Sequence, residues 1–248
     1  VHRLFASLDV ELPPVHEMKT RFGAAGGPGG ARHQHAGHAL GGAFDPGHCG
    51  RLRFAEEART ALGVGGVRWI PAGRPAHRAV PCCTAQHRLE MVRMAIAGNP
   101  AFTLDASEVH STEPSYSVPT LERLRQQVGA QRPLVLVLGA DAFLGLSSWH
   151  RWQDIFALAH LAVATRPGCH IDNDRMEAAL FSEYSRRLCQ DTASLGTSNA
   201  GHIFTFAITA LDISATMLRT AFVAGESVRY LLPDPVLDYI SSHQLYSN

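Results

Sequence analysis

From Leu40 onward the chain alternates short apolar runs with amphipathic stretches. Val67–Ile70, Leu134–Leu138 (LVLVL) and Leu161–Thr165 (LAVAT) are apolar or β-branched without alternation, the pattern of strands buried on both faces. Between them the period changes to that of helices. Thr84 can cap a segment in which Leu89, Val92 and Ile96 recur at spacings of three and four, and Gly98 stops it. Thr120–Val128 repeats the pattern with Leu121, Leu124 and Val128, and another helix runs to about Leu62. Near the end, Asp234 is placed to cap a helix with Pro235 at its first position before Val236, Leu237 and Ile240. Strand, helix, strand in alternation predicts an α/β fold with a mainly parallel sheet flanked by helices and right-handed crossovers. Ligands of such sheets bind outside the carboxyl ends of the strands, so chemistry is expected in the loops after Leu40, Ile70, Leu138 and Thr165.

Two stretches break the pattern. Gly23–Gly30 (GAAGGPGG) has great backbone freedom and little to bury, so Val1 to about Ala31 reads as a mobile extension and 32–248 as the folded domain. His170–Ser198 reads as a polar surface excursion, apart from a helical patch at Met176–Leu188. His33, His35 and His38 suggest either a metal site or a polar lead-in to a strand. No carboxylate or cysteine joins them at ligand spacing, and Gly37 makes the strand a poor one.

Composition narrows the classes. Over 248 residues, 22 basic side chains balance 22 acidic ones, and 46% of residues are hydrophobic. One soluble domain with no overall attraction to nucleic acid or to an anionic membrane follows, so bound phosphate must meet local donors. No apolar run is long enough for a membrane span, and the first residues lack signal-peptide order, from which a cytoplasmic location is expected. The five cysteines (Cys49, Cys82, Cys83, Cys169, Cys189) are scattered, without the spacing of a disulfide framework or zinc finger.

The first chemical constellation is Gly41-Gly42-Ala43-Phe44-Asp45-Pro46-Gly47-His48-Cys49-Gly50-Arg51, between a candidate strand and a helix. Paired glycines admit a ligand close to the backbone, and N–H groups at the helix start face an anion, which makes a phosphate cradle or simply a tight turn. His48 can donate to a phosphate oxygen and neutralise charge building there. Neither the dinucleotide fingerprint nor the P-loop sequence is present. The second constellation is Ile213-Ser214-Ala215-Thr216-Met217-Leu218-Arg219. Ser214 and Thr216 can open a helix whose N–H groups and hydroxyls point at phosphates, and Arg219, one turn on, brings a fixed cation. The third comprises Gly139-Ala140-Asp141 after the LVLVL strand, Trp149-His150-Arg151-Trp152, and Thr165-Arg166-Pro167-Gly168. Tryptophans three apart on one helix are, on spacing alone, more often core than ligand platform.

The first two constellations resemble the G-x-F-D-P-x-H-x-G-H and I-S-S-T-x-I-R signatures of the nucleotidylyltransferases, and the third resembles the bacterial nicotinate-nucleotide adenylyltransferases with their G-x-D, W-x-x-W and R-P-G. The likeness continues through Arg74-Pro75-Ala76-His77-Arg78, Gln86-His87-Arg88-Leu89 and Tyr230-Leu231-Leu232-Pro233, from about Leu40 to the end. It implies a Rossmann-like nucleotide-binding fold and adenylyl transfer from ATP to nicotinate mononucleotide in NAD biosynthesis. His48, Arg51 and Arg219 would be catalytic. Gly42, Ala43, Phe44, His48, Asp141, Arg166, Ser214, Thr216 and Arg219 would hold ATP. His77, Arg78, Tyr116, Ser117, Trp149 and His150 would hold the acceptor, with Trp149 stacking on the pyridine ring. Mg²⁺ is implied by ATP chemistry, held mostly by phosphates and waters; no metal motif is seen. The partners implied are these small molecules, with no nucleic acid or membrane, in a monomer or small homo-oligomer. The chain departs from the family where Arg51 replaces the second signature histidine and where S-Y-T-x-D-T becomes Ser115-Tyr116-Ser117-Val118-Pro119-Thr120. Two alternatives follow: another adenylyltransferase, acting on pantetheine phosphate, or a nucleotide-binding protein that has lost turnover.

Overall fold

The computed structural model describes residues 37–76, 80–166, 171–209 and 211–247, with the backbone alone for 37–40. The expected mobile extension and the outcome for His33 and His35 therefore lie outside the described residues. In chain order the elements are β1 (Gly37–Gly42), α1 (Cys49–Ala61), β2 (Val67–Pro71), α2 (Ala85–Ile96), β3 (Phe102–Leu104), α3 (Ser107–His110), α4 (Ser117–Val128), β4 (Leu134–Gly139), α5 (Ala140–Leu144), α6 (Ile155–Leu158), β5 (His160–Thr165), α7 (Ala178–Arg187), β6 (Leu188–Cys189), β7 (Ile203–Ala207), α8 (Ala215–Ala224) and α9 (Asp234–Ser242).

The described strands form one sheet in the order β3-β2-β1-β4-β5-β7-β6, and each pairing is parallel. Alternate side chains of β4 and β5 serve opposite faces. Leu134, Leu136, Leu138, Leu161 and Val163 pack with Val118, Leu121 and Leu124 of α4 and with Phe143 and Ile155. Val135, Val137, Ala162 and Ala164 pack in a second cluster with Ala55 and Ala58 of α1 and Val92 and Ile96 of α2. This is why LVLVL carries no polar position: helices cover both sides. A third cluster joins Met91 of α2, Leu218 of α8 and Val236 and Ile240 of α9. No helix of the described residues is long and apolar enough to cross a membrane.

The chain winds outward from β1 to β2 and β3, then returns to place β4 on the other side of β1. That reversal is a topological switch point. β1 and β4 pair only at Gly37↔Leu134 and His38↔Val135, while β4 and β5 pair at five successive positions. The β1–β4 ladder thus stops short of the carboxyl ends of both strands, the place where sheets of this kind open a crevice for ligands.

Several expectations are corrected. The glycine-bearing stretch from Gly37 is a central strand, paired by backbone ladders on both sides. α4 begins at Ser117, earlier than the apolar period predicts. α9 is capped by Pro233, whose carbonyl accepts from the N–H groups of Val236 and Leu237, so Asp234 is its first residue and not its cap. Trp149 and Trp152 do not share a helix. A 3-10 turn at Leu146–Ser148 ends at Trp149, Arg151 takes a left-handed φ of 54°, and a second 3-10 turn spans Trp152–Asp154.

Candidate active site at the switch point

The loop after β1 runs along the floor of the crevice. Phe44 takes φ 51°, a conformation uncommon without glycine, and its ring is buried 5.4 Å from that of Trp69. A Cβ on Gly42 would stand 3.4 Å from Arg51 Nη1 and 3.5 Å from the Phe44 ring, so glycine there leaves room between backbone and guanidinium. The Arg51 guanidinium lies 5.2 Å from the Phe44 ring centroid, a cation–π contact. His48 is the cap residue of α1, and its carbonyl accepts from the N–H groups of Arg51 and Leu52.

The His48 ring is 4% exposed, and neither ring nitrogen has a hydrogen-bond partner. Buried polar atoms are normally paired, so an imidazole bare at both nitrogens, at the start of a 13-residue helix, is a candidate ligand group. Burial first, and the Arg51 charge second, pull its pKa down to about 3. His48 is therefore neutral at working pH. Without ligand the cation at this turn is Arg51, and the imidazole beside it is a neutral hydrogen-bonding group.

α8 faces this loop. Ser214 caps it, its Oγ accepting from Met217 N at 3.1 Å. Arg219 Nη1 donates to the Asp45 carbonyl at 2.6 Å, and Nη2 donates to Thr216 Oγ1 at 3.2 Å. The Ser214 and Thr216 oxygens thus act as acceptors within the helix, and only their O–H groups remain to meet phosphate. The Asp45 carboxylate is 7% exposed and accepts from Cys82 N at 2.7 Å and Tyr246 Oη at 2.8 Å.

Arg88 lies beneath. Only 1% exposed, it donates to the carbonyls of Ala43 (2.7 Å), Ala72 (2.6 Å), Gly73 (3.0 Å) and Cys83 (3.3 Å). One guanidinium therefore ties the loop after β1 to that after β2; burial lowers its pKa from the usual arginine value without removing its charge. Arg88 and Tyr246 were not among the expected site residues. Arg88 had a signal, since it stands at i, i+4, i+8 spacing with the buried Val92 and Ile96, a charge inside an apolar stripe.

On the β4 side, Asp141 is exposed in the first turn of α5, and Arg166 is exposed just beyond β5. The Tyr116 ring lies 4.7 Å from that of His150, which is itself exposed. Ser117 opens α4 with its Oγ buried and without a hydrogen-bond partner. Trp149 is 6% exposed and sits in the main core cluster, the outcome its spacing alone favoured over a ligand platform. His77 and Arg78 lie outside the described residues.

Comparison with known proteins agrees with this geometry. The cytidylyltransferase-like family model matches residues 39–221. A probable nicotinate-nucleotide adenylyltransferase of Dechloromonas aromatica is 57% identical over 209 residues, covering 84% of this chain and 96% of the relative. One from Acidithiobacillus ferrooxidans is 46% identical, covering 84% and 94%. Among solved structures, the Plasmodium falciparum nicotinic acid mononucleotide adenylyltransferase complexed with NaAD aligns with a TM-score of 0.60 at 14% identity, covering 83% of this chain and 94% of that one, a likeness of fold. Two signatures facing each other across a switch-point crevice, a family model spanning both, and relatives matched almost end to end make this chain a member of the cytidylyltransferase-like family and, with those relatives, of the nicotinate-nucleotide adenylyltransferases.

Proposed function

We propose that the chain transfers the adenylyl group of ATP to nicotinate mononucleotide, giving nicotinate adenine dinucleotide and pyrophosphate, a step of NAD biosynthesis. The observation that carries this reading is the buried, unpartnered imidazole of His48 beside the guanidinium of Arg51, in the crevice that Arg219 faces. The names of the relatives at 57% and 46% identity support it. An acceptor phosphate is largely dianionic at neutral pH and needs no general base. One of its oxygens bonds to the α-phosphorus of ATP, the bond from that phosphorus to the bridging oxygen breaks, and the freed negative charge leaves on pyrophosphate. The site must align these groups and stabilise the departing charge. N–H groups of the Gly42–Phe44 turn, a neutral His48, Arg51 and Arg219 are the donors for that work, with the hydroxyls of Ser214 and Thr216. Asp141 and Arg166 serve the nucleotide, and Tyr116, Ser117, His150, His77 and Arg78 the acceptor. Trp149 contributes whatever edge its burial leaves.

Mg²⁺ accompanies ATP in this reading. Among the described residues no three His, Cys, Asp or Glu side chains stand together, and both Asp45 oxygens already accept hydrogen bonds. This donor set fits a metal carried by phosphate oxygens and water, where it would neutralise triphosphate charge.

Incubating the protein with Mg-ATP and nicotinate mononucleotide, nicotinamide mononucleotide or pantetheine phosphate, and measuring pyrophosphate, tests the reading. Fastest release is expected with nicotinate mononucleotide. Fastest release with pantetheine phosphate would assign the other acceptor. ATP binding without release from any acceptor would make the chain a nucleotide-binding protein without turnover, a reading favoured by the Arg51 guanidinium held against Gly42.

A further inference from the structure

The segment after α9 returns to the site described above. Gln244 and Tyr246 take φ of 52° and 61°, left-handed values that non-glycine residues seldom adopt, and this curl brings the Tyr246 phenol inward. The ring stacks on Phe222 of α8, with centroids 5.7 Å apart and planes inclined by 23°. Its hydroxyl donates to Asp45 Oδ1 at 2.8 Å, across 201 residues of sequence. Asp45 Oδ2 is held by Cys82 N at 2.7 Å, and the Asp45 carbonyl receives Arg219 Nη1 at 2.6 Å. Tyr246 therefore touches both halves of the site, the loop after β1 through Asp45 and α8 through Phe222.

We infer that Tyr246 is a positioning residue for nucleotide binding, its hydroxyl fixing the Asp45 carboxylate so that the loop after β1 and Arg219 of α8 keep one mutual orientation. The inference rests on the reading of this crevice as the ATP site. The carboxylate is almost fully buried, so loss of the hydroxyl leaves it with Cys82 N and the neighbouring Cys83 thiol, a weak donor; the turn then shifts to find another, and the Arg219 contact shifts with it. The phenol suits this task because burial raises its pKa, and it stays a donor throughout the working range. Tyr246 would thus act on the ligand through Asp45 and Arg219.

Tyr246→Phe removes the hydroxyl and keeps the ring on Phe222. Titration calorimetry with a non-hydrolysable ATP analogue should show Kd raised about 10-fold, the lower end of what one hydrogen bond to a charged group is worth. KM for ATP should rise in parallel, while KM for nicotinate mononucleotide stays within about twofold and the melting temperature falls by only a few degrees. In an Arg219→Ala background the same change should alter analogue affinity by less than about twofold, because the path it acts through is gone. Unchanged analogue affinity in Tyr246→Phe overturns the inference. So does equal weakening toward both substrates, or a full effect persisting without Arg219. Analogue binding needs no turnover, so a wild type that binds the analogue yet releases no pyrophosphate overturns the transfer reading while Tyr246 is still judged by affinity. A wild type that does not bind the analogue overturns both.

Discussion

His48 and His160 are equally hidden from water, 4% and 0% exposed, yet they stand at opposite ends of one parallel sheet and meet opposite surroundings. His160 opens β5. Its Nδ1 accepts from His202 N at 3.0 Å and its Nε2 lies 3.0 Å from the Ser198 carbonyl, which fixes the proton on Nε2. The ring also stacks on that of His202, with centroids 5.3 Å apart and planes inclined by 10°. His48, beyond the carboxyl end of β1, has no partner on either nitrogen. Burial keeps both neutral, His160 with a pKa of about 4 and His48 of about 3. Neutrality and burial therefore do not mark a functional histidine. What sets His48 apart is hydrogen-bonding capacity left unused at both nitrogens, the feature on which its proposed role rests.

The strongest test exchanges the two roles. His48→Ala should lower kcat by on the order of 100-fold or more, the usual loss for one donor aimed at developing charge, and leave thermal stability nearly unchanged, since no hydrogen bond is broken. A variant as fast as wild type would remove His48 from the reaction. Arg51→Ala comes next, with turnover reduced by roughly 10-fold, as for one hydrogen bond to a charged group. Without that charge the His48 pKa should rise, which NMR titration of the imidazole reads directly. Wild-type activity with an unmoved pKa would mean that the guanidinium serves neither phosphate nor histidine.

His160→Ala should do the reverse of His48→Ala, leaving kcat alone and destabilising the fold by about 1–3 kcal/mol through a bare His202 N–H and Ser198 carbonyl. Denaturant titration beside steady-state kinetics distinguishes the two patterns. The smallest effect near neutral pH is on pH dependence, which grows only as acidity rises. Both histidines have folded pKa values below the usual 6.5, so the unfolded chain binds more protons as acidity rises, and stability is full above about pH 6.5 and declines below it. The share due to His160 should stop growing near pH 4, that of His48 near pH 3. Removing either side chain should flatten the decline by its share in denaturant titrations across this range.

What was legible in the sequence follows the same division. Strands covered on both faces advertise themselves, and LVLVL, VRWIP and LAVAT are all found where their apolar runs lie. The turn from Gly42 to Arg51 and the segment from Ser214 to Arg219 were legible as segments by their glycines, capping residues and fixed cation at set spacing, and the structure brings them together through Arg219 and Asp45. β1 was poorly legible, since backbone pairing on two sides holds it and its glycines show no pattern. Ile203–Ala207 was missed as a strand, its Phe204 and Thr205 only half-buried near the sheet edge. Trp149 could be read as core or as platform because a tryptophan has the same spacing in both roles. The bond from Tyr246 to Asp45 spans 201 residues and has no local signature.

The crowding of guanidinium groups around residues 42–45 has an electrostatic consequence. Formal charges cancel over the whole chain, so no net monopole reaches a distant anion. At the turn, however, Arg51 lies against Gly42, Arg88 donates to Ala43, and Arg219 donates to Asp45, whose carboxylate is the counter-charge among them. The field is thus short-ranged, strong at the mouth of the crevice and lost within a Debye length of about 8–10 Å in physiological salt. A net charge of zero supplies no long-range pull on polyanions. If the turn seats the triphosphate as proposed, salt should loosen the final seating of the ligand more than it slows the first encounter.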